Sequence, residues 1–507
     1  MRNQNARLST YTDLLYLIVL VGCFYSIGLG SFPLFTPDEG RYSEVAREMV
    51  ALQDYVTPRL NGIAFLDKPI LYYWLQTISI RLFGVSEWAL RFFPMLSGLL
   101  LIASTYCFAR YIFDRKTALL SAGVLATSPL IFGTAHYANL DLEVALFITT
   151  SLYLGVIALL KTSFSRLALY GAIIAAGLAV LTKGLIGLFF PIVILGVMLI
   201  YCKAWSLLSL RTLFISIALF TSIVLPWFIA VQIQNPQFFH YFFVTQHITR
   251  FLSQAEFNNQ TPFWFYLPVV FLGFFPWSVF LYHAIKGAIQ SAIHDLTKRT
   301  FAIFLLLFAS VVLVFFSIPH SKMVGYILPV FPPLSILVGW YLSTHWTALI
   351  NRRYRLYAFL SVLVSTMVLL LSLPFIAPVV NTQSTKAFAH TIKPLLTAAN
   401  SEVITYFDYF YDLPLYLGKT VKVVADWQDP ALRQRDNWRR ELALGAPFHH
   451  DPASILLNED AFWNEWYGDK RLFVMMFVSD FAAFKQKTQH YHILKEGHGM
   501  VLVSNRT

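Results

Sequence analysis

The chain has 507 residues, of which 57% are hydrophobic and only 13% charged, with a mean hydropathy of +0.60 and a formal net charge of +11. A soluble fold of this size has too little interior for that much apolar surface, so the composition excludes a water-soluble enzyme and implies a polytopic membrane protein. The surplus of Lys and Arg is no nucleic-acid signal, because it falls in short loops between apolar runs.

The N-terminal MRNQNARLSTYTD carries Arg2 and Arg7 ahead of an apolar run, as a signal peptide would. No convincing cleavage site follows Ser26–Gly30, so the run is expected to be an uncleaved first span with its N-terminus inside. A bilayer crossing needs about 17–25 apolar residues. Such segments fall near 14–32, 89–110, 117–134, 139–160, 166–182, 184–202, 211–232, 263–285, 300–318, 323–342 and 354–376. The fold expected is therefore a polytopic α-helical membrane protein of about 11–13 transmembrane helices, with room for a break or re-entrant piece in the crowded 117–202 region. With the N-terminus inside, the inside loops carry Arg110, Arg115 and Lys116; Lys161 and Arg166; Lys203 and Arg211; Lys286, Lys298 and Arg299; and Arg352, Arg353 and Arg355. Every inside loop is basic, which is a coherent positive-inside pattern and places the C-terminal tail outside. Cys23, Cys107 and Cys202 all sit in apolar stretches, so no disulfide or metal–thiolate framework is implied.

The first outside loop, 35–85, is the most charged stretch of the membrane half. It holds Asp38, Glu39, Arg41, Glu44, Arg47, Glu48, Asp54, Arg59, Asp67, Lys68 and Arg81. So many charges between apolar spans point to chemistry at a membrane surface. Thr36-Pro37-Asp38-Glu39 reads as a helix start, with Thr36 as N-cap, Pro37 at the first helical position and Glu39 reaching back. Tyr42, Val45, Ala46 and Met49 then share one face, with Arg41, Glu44, Arg47 and Glu48 elsewhere. Pro69–Phe83 is too short to span and ends at Gly84; it fits a helix lying in the interface, with Tyr72, Tyr73 and Trp74 at headgroup level.

Four further outside points follow. HYANLDLE puts His136, Asn139, Asp141 and Glu143 at the mouth of a span, and TKGLIG puts Lys183 at the next one. The loop 232–262 carries His240, His247, Arg250 and Glu256 among aromatics, and IPHSKMVGYILPVFPP carries His320, Lys322 and Tyr326. The expected division is a membrane catalytic domain over 1–379 and a tail domain over 380–507. In the tail, runs at 403–407, 421–425, 471–478 and 499–505 read as strands, and the stretches at 481–487 and near Trp463 as helices, which makes a small α/β domain. No repeat, Walker motif or dinucleotide fingerprint is present.

Carboxylates beside basic residues at an interface suit group transfer from a phosphate-linked lipid. Lys and Arg hold the leaving phosphate, while a carboxylate orients the acceptor or faces a sugar centre that becomes positive. Each residue also has a plainer reading. Asp38 favours a helix dipole; Asp67–Lys68 is a surface pair; Lys183 snorkels to the headgroups; a lone His247 is hydrogen-bonded rather than metallated; Arg250 belongs to an interface belt. Asp141 resists such a reading, since a carboxylate at a span mouth is costly and usually functional.

PDEGRYSEVAREM, the LDKP turn, TKGLIGL, HITRF, PFWFYLP with GFFPWS, and SKMVGYILPVFPP occur in that order. The set resembles the lipid A aminoarabinose transferases, of the undecaprenyl phosphate–4-amino-4-deoxy-L-arabinose type, within the wider group related to protein O-mannosyltransferases. The resemblance implies a GT-C fold with interface helices in the first periplasmic loop, in the bacterial inner membrane, with site and tail facing the periplasm. It implies inverting transfer from undecaprenyl phosphate to lipid A or a related envelope glycolipid, with no nucleotide; nothing in the sequence suggests an obligate partner, so a monomer is expected. It implies that Asp38 and Asp141 are the catalytic carboxylates, that Lys68 contacts the donor phosphate, and that Arg41, Tyr42, Lys183, Arg250 and Tyr326 bind substrate. In some relatives an acid before the lysine and a later histidine hold a metal such as zinc. Here these are Asp67 and His247, and Asp67 stands where the family usually has Glu.

Two other readings compete. A protein O-mannosyltransferase-like enzyme would move a hexose to Ser or Thr and depend steeply on a base at Asp38. A polyprenyl-lipid carrier or flippase without chemistry would need repeated halves with broken helices, and no such repeat is visible.

Overall fold

The computed structural model describes residues 2–160, 165–249, 261–350, 353–396, 400–430, 432 and 437–507. Among them, eight helices are long and apolar enough to cross a membrane: Leu8–Ser26, Glu87–Ile112, Asp141–Leu159, Ser165–Lys183, Leu210–Gln234, Lys298–Ser317, Val324–His345 and Leu360–Ala377. Two further apolar stretches are bent helix pairs, Arg115–Ala126 with Pro129–Ala135 at 62° and Phe263–Gly273 with Trp277–Ile293 at 107°, and Ile186–Cys202 is a shorter apolar helix. Each apolar segment read from the sequence therefore carries helix, but 117–134 and 263–285 are not straight spans. Pro129 cannot donate to the preceding turn, and Ser128 before it is extended at ψ 123°. Pro276 lies in the second break.

The chain divides into two compact units. The first comprises residues 1–29, 91–228 and 259–376. At its centre Asp141–Leu159 is buried along most of its length. Small residues let neighbours close on it without a hydrophobic driving force, as helices in lipid require; a Cβ on Gly155 would overlap Leu195. Phe108 and Tyr153 stack with ring centres 3.9 Å apart. At one end, Asp13 is buried yet fully partnered, accepting from the Tyr106 hydroxyl at 2.7 Å and from the Arg115 fork at 2.7 and 2.6 Å.

The second unit comprises residues 30–90, 229–258 and 377–507, so compactness groups the two charged loops with the tail. Two short strands, β1 (Arg59–Leu60) and β2 (Ile63–Ala64), form a hairpin. The tail adds a six-stranded mixed sheet in the order β5-β4-β3-β6-β8-β7. Its strands are β3 (Ser401–Tyr406), β4 (Lys422–Val424), β5 (Leu456–Leu457), β6 (Arg471–Phe477), β7 (His492–Gly497) and β8 (Met500–Ser504). β3, β4, β5 and β6 run parallel to their neighbours in that group, and β8 pairs antiparallel with β6 and β7. The four apolar strands are those expected from the sequence. β5 is two residues long and β7 is a polar edge, so neither carries a period-2 apolar signal. Ile404, Val474 and Val503 meet Phe462, Trp466 and Phe484 from helices Glu459–Trp466 and Val478–Lys487 in one core.

Candidate active site

In the second unit, the motif PDEGRYSEVAREM forms a helix over Asp38–Leu52, which starts one residue later than the sequence suggests. Pro37 holds the cap position with no side-chain bond, and Glu39 Oε2 accepts from the Phe35 N–H at 2.7 Å rather than returning to Thr36. Tyr42, Val45, Ala46 and Met49 are buried as expected. Glu39, Glu44, Arg47 and Glu48, off that face, are buried as well. The Arg47 fork binds Glu44 at 2.7 and 2.6 Å, and its remaining Nη1 reaches the Gly418 carbonyl at 3.2 Å. Glu48 accepts the Gly62 N–H on both oxygens at 2.9 Å. Gly62 takes φ +79°, and a Cβ there would strike Ile455 at 2.6 Å. Asn61 exchanges two 2.8 Å hydrogen bonds with the Val421 backbone. Much of the charge in this loop therefore fastens it to the tail. Burial raises both carboxyls above the usual range, Glu48 well above it, with Glu44 adding to the Glu48 shift and Arg47 opposing it.

The front of the same helix is arranged differently. Arg41 lies between two carboxylates, 3.1 Å from Glu441 and 3.6 Å from Asp38. Its guanidinium also covers the Tyr411 ring at 4.7 Å, and the Tyr411 hydroxyl donates to Glu441 at 2.8 Å. Burial opposes the charge on Arg41, but Glu441, Tyr411 and Asp38 outweigh it and hold the guanidinium more firmly protonated than usual. Tyr42 packs in an aromatic group with Tyr72 and Tyr73, at 5.9 and 6.3 Å. Tyr72 and Tyr73 are thus fully buried rather than at headgroup level. The exposed apolar side of their helix, Leu71–Phe83, is instead Ile78, Leu82 and Phe83, next to exposed Val85.

Asp67 and Lys68 are half-buried in the turn between β2 and that helix. The Tyr241 hydroxyl donates to Asp67. The His247 side chain and the whole of Arg250 lie outside the described residues. Among the described residues no group of three His, Cys, Asp or Glu side chains could hold a metal ion, and the expected pairing of Asp67 with His247 falls partly outside those residues.

The first unit brings together three segments far apart in sequence. Asp141 opens its helix, with its N–H bonded to Asn139 Oδ1 at 3.0 Å. Lys183 closes the helix Ser165–Lys183, because Gly184 turns the chain at φ +85°. The Lys183 ammonium binds the Asp141 carboxylate and lies 4.4 Å from the centre of the Tyr326 ring. Side-chain exposures of 11% and 8% make this a desolvated pair rather than a snorkelling lysine. His136, in contrast, has both ring nitrogens against backbone carbonyls, of Phe132 and Ile27, and so anchors the chain locally. Sequence reasoning gave Tyr73 only a headgroup role and missed Tyr241, Tyr411 and Glu441. The first two sit in apolar aromatic runs, and nothing in the tail marks the last two.

Residues 67–229 match the family described as dolichyl-phosphate-mannose-protein mannosyltransferase. The undecaprenyl phosphate-α-4-amino-4-deoxy-L-arabinose arabinosyl transferase of Pectobacterium carotovorum subsp. carotovorum is 34% identical over 349 residues, which is 68% of this chain and 62% of the relative. A second such transferase, from Proteus mirabilis, is 34% identical over 62% of this chain and 57% of its own length. The chain thus aligns with about three-fifths of the length of these curated relatives. The crystal structure of ArnT from Cupriavidus metallidurans bound to undecaprenyl phosphate matches with a TM-score of 0.82 at 25% identity, over 98% of both chains. The oligosaccharyltransferase AglB of Archaeoglobus fulgidus shares the fold alone, with a TM-score of 0.56 at 13% identity over 92% of this chain and 69% of its own. The architecture is that of a multi-pass membrane protein with the GT-C glycosyltransferase fold and a C-terminal sheet domain. Within that class, the chain is similar in sequence and in fold to the undecaprenyl phosphate-aminoarabinose arabinosyl transferases.

Proposed function

We propose that this chain moves 4-amino-4-deoxy-L-arabinose, or a closely similar amino sugar, from undecaprenyl phosphate to a phosphate of lipid A or a related envelope glycolipid. The observation that carries this reading is the likeness over 98% of both chains to ArnT bound to undecaprenyl phosphate. The setting is the bacterial inner membrane, with the site and tail on the periplasmic side, and the chain acts as a monomer.

In the reaction, the bond from the sugar C1 to the donor phosphate oxygen breaks and undecaprenyl phosphate leaves. A bond from C1 to an acceptor phosphate oxygen forms on the opposite face, which inverts the centre. The acceptor is already an anion, so no base has to remove a proton. Lys68, Lys183 and Arg250 are proposed to neutralise phosphate charge as the C1–O bond lengthens. Lys183 is oriented for this by Asp141 on one side and the Tyr326 ring on the other. Asp38 faces the oxocarbenium-like centre or the sugar amine, and its contact to Arg41 is a loose one at 3.6 Å. Tyr42 supports Asp38 through the shared helix.

Mass spectrometry of lipid A from cells with the intact gene, a deletion and Asp38→Asn tests this. An amino-sugar mass present with the intact gene and lost in both mutants is the expected result. Identical lipid A in all three, with a sugar missing from secreted proteins instead, would replace this reading with hexose transfer to Ser or Thr, in keeping with the mannosyltransferase family match.

A further inference from the structure

We propose that Glu441, in the tail helix Trp438–Gly445, is a positioning residue of the transfer site, holding Arg41 back from Asp38 so that the Asp38 carboxylate stays available to substrate. The inference rests on the function proposed above.

Asp38 and Arg41 are three residues apart on one helix, a spacing that ordinarily lets a carboxylate and a guanidinium close into a tight pair. Here they stay 3.6 Å apart, because Glu441 draws the guanidinium to 3.1 Å on its other side. Glu441 is itself fixed. Its second oxygen accepts from the Tyr411 hydroxyl at 2.8 Å, and Asn437 caps its helix through the Arg439 and Arg440 N–H groups. Gly445, at the end of that helix, lies so close to the Ala64 carbonyl that a Cβ would fall 2.1 Å from it. Three residues on from β2 is Asp67, and the ring of Phe448 packs against Tyr241, the residue bonded to Asp67. One short stretch of tail therefore sets Arg41, β2 and Tyr241 together.

A comparison within the same helix shows that this group is more than a fastening. Arg47 spends Nε, Nη1 and Nη2 on protein acceptors. Among the described residues, Arg41 Nε is buried and has no hydrogen-bond acceptor, and the buried hydroxyl of Tyr73 has no hydrogen-bond partner. Asp67, Arg41 and Glu441 all act electrostatically on that hydroxyl. Buried donors without acceptors are costly in a structural cluster and expected where oxygen atoms of a ligand arrive. Phosphate oxygens or sugar hydroxyls are ligands of that chemistry. If the Glu441 charge is removed, Arg41 is free to close on Asp38 and neutralise it.

The test uses the full-length protein in lipid, undecaprenyl-phosphate-linked aminoarabinose and lipid A, with wild type, Glu441→Gln and Glu441→Asp compared. Glu441→Gln is expected to lower kcat by about ten- to a hundredfold, with the donor KM changed by less than about threefold. Glu441→Asp should recover part of the lost kcat, because it restores the charge. Thermal unfolding of each variant accompanies the kinetics. Full kcat in Glu441→Gln would overturn the proposal, as would a loss that Glu441→Asp fails to relieve and that tracks a fall in Tm. Wild type that transfers no sugar would instead sink the functional reading, and this inference with it.

Discussion

Gly325 lies against the carboxylate of Asp141: a methyl group at 325 would fall 2.1 Å from Oδ2 and 2.8 Å from Cγ. The glycine of the SKMVGY motif is therefore not a flexible joint but the space in which the Asp141–Lys183 pair sits. Gly325→Ala must push the carboxylate off Lys183 or move Tyr326, the next residue, away from the ammonium. Small displacements of groups that hold reacting atoms are expensive in rate, so transfer should fall about tenfold or more. Thermal unfolding in detergent should change little, since the helix cores around the pair are not touched. Transfer at the wild-type rate would show that the pair has no part in positioning Lys183.

Asp38→Asn and Lys68→Ala should each abolish transfer and leave a folded membrane protein. Both side chains are only partly buried, so neither leaves a large cavity or an isolated charge in the core. Fluorescence size-exclusion profiles like wild type together with lost lipid A modification would meet this expectation. Variants that are folded and fully active would refute the site assignment.

The spans and the four apolar tail strands were readable because each is a local pattern: length for a span, period for a strand. The motifs also pointed to Asp141, Lys183 and Tyr326, which the structure brings together. The charge count of the first loop misled, since Arg47 answers to Glu44 and Gly418 and Glu48 to Gly62 rather than to a membrane surface. Gly418 lies 371 residues from Arg47, and no pattern in a single sequence announces a partnership at that separation. The same holds for Arg41 and Glu441. Tyr72 and Tyr73 read as interface aromatics because packing against Tyr42, some thirty residues earlier on another helix, is invisible in a local window.

Glu48→Gln should remove a pH dependence of stability. The folded-state pKa of Glu48 is raised well above its ordinary value, chiefly by burial and then by Glu44. A carboxyl raised on folding binds its proton more tightly in the native state, so its contribution is fully present below the unfolded value of 4.5 and is lost as pH climbs through the folded value. Wild type should therefore lose Tm as pH rises from 4.5 toward the raised folded value. Gln keeps an acceptor for the Gly62 N–H without any charge to desolvate, so the variant should be flatter across that window and more stable than wild type at its upper end. Glu44→Ala is the contrast: it strips Arg47 of its forked partner and should cost about 3–5 kcal/mol. Parallel Tm–pH curves for wild type and Glu48→Gln would contradict the assignment.

Gly40→Ala probes whether the tail is needed where it meets the motif helix. A Cβ at 40 would meet the Asp412 nitrogen at 2.8 Å and the Tyr411 carbonyl carbon at 3.0 Å, both backbone atoms that cannot rotate aside. Asp412 has no room to retreat, because it is fully buried and binds the Thr385 N–H at 2.9 Å, the Thr385 hydroxyl at 2.8 Å and the Ser384 hydroxyl at 3.0 Å. The added methyl must then lift the 411–412 backbone from the helix, at about 1–3 kcal/mol of overpacking. The same movement carries Tyr411 away from Arg41 and Glu441. Activity should therefore fall by more than the lost stability explains, and lowering the assay temperature until the variant is fully folded should not restore it. Gly40→Ser should behave alike, since any Cβ meets the same backbone. Recovery of full turnover in the cold would mean that the tail serves only to hold the loop in place.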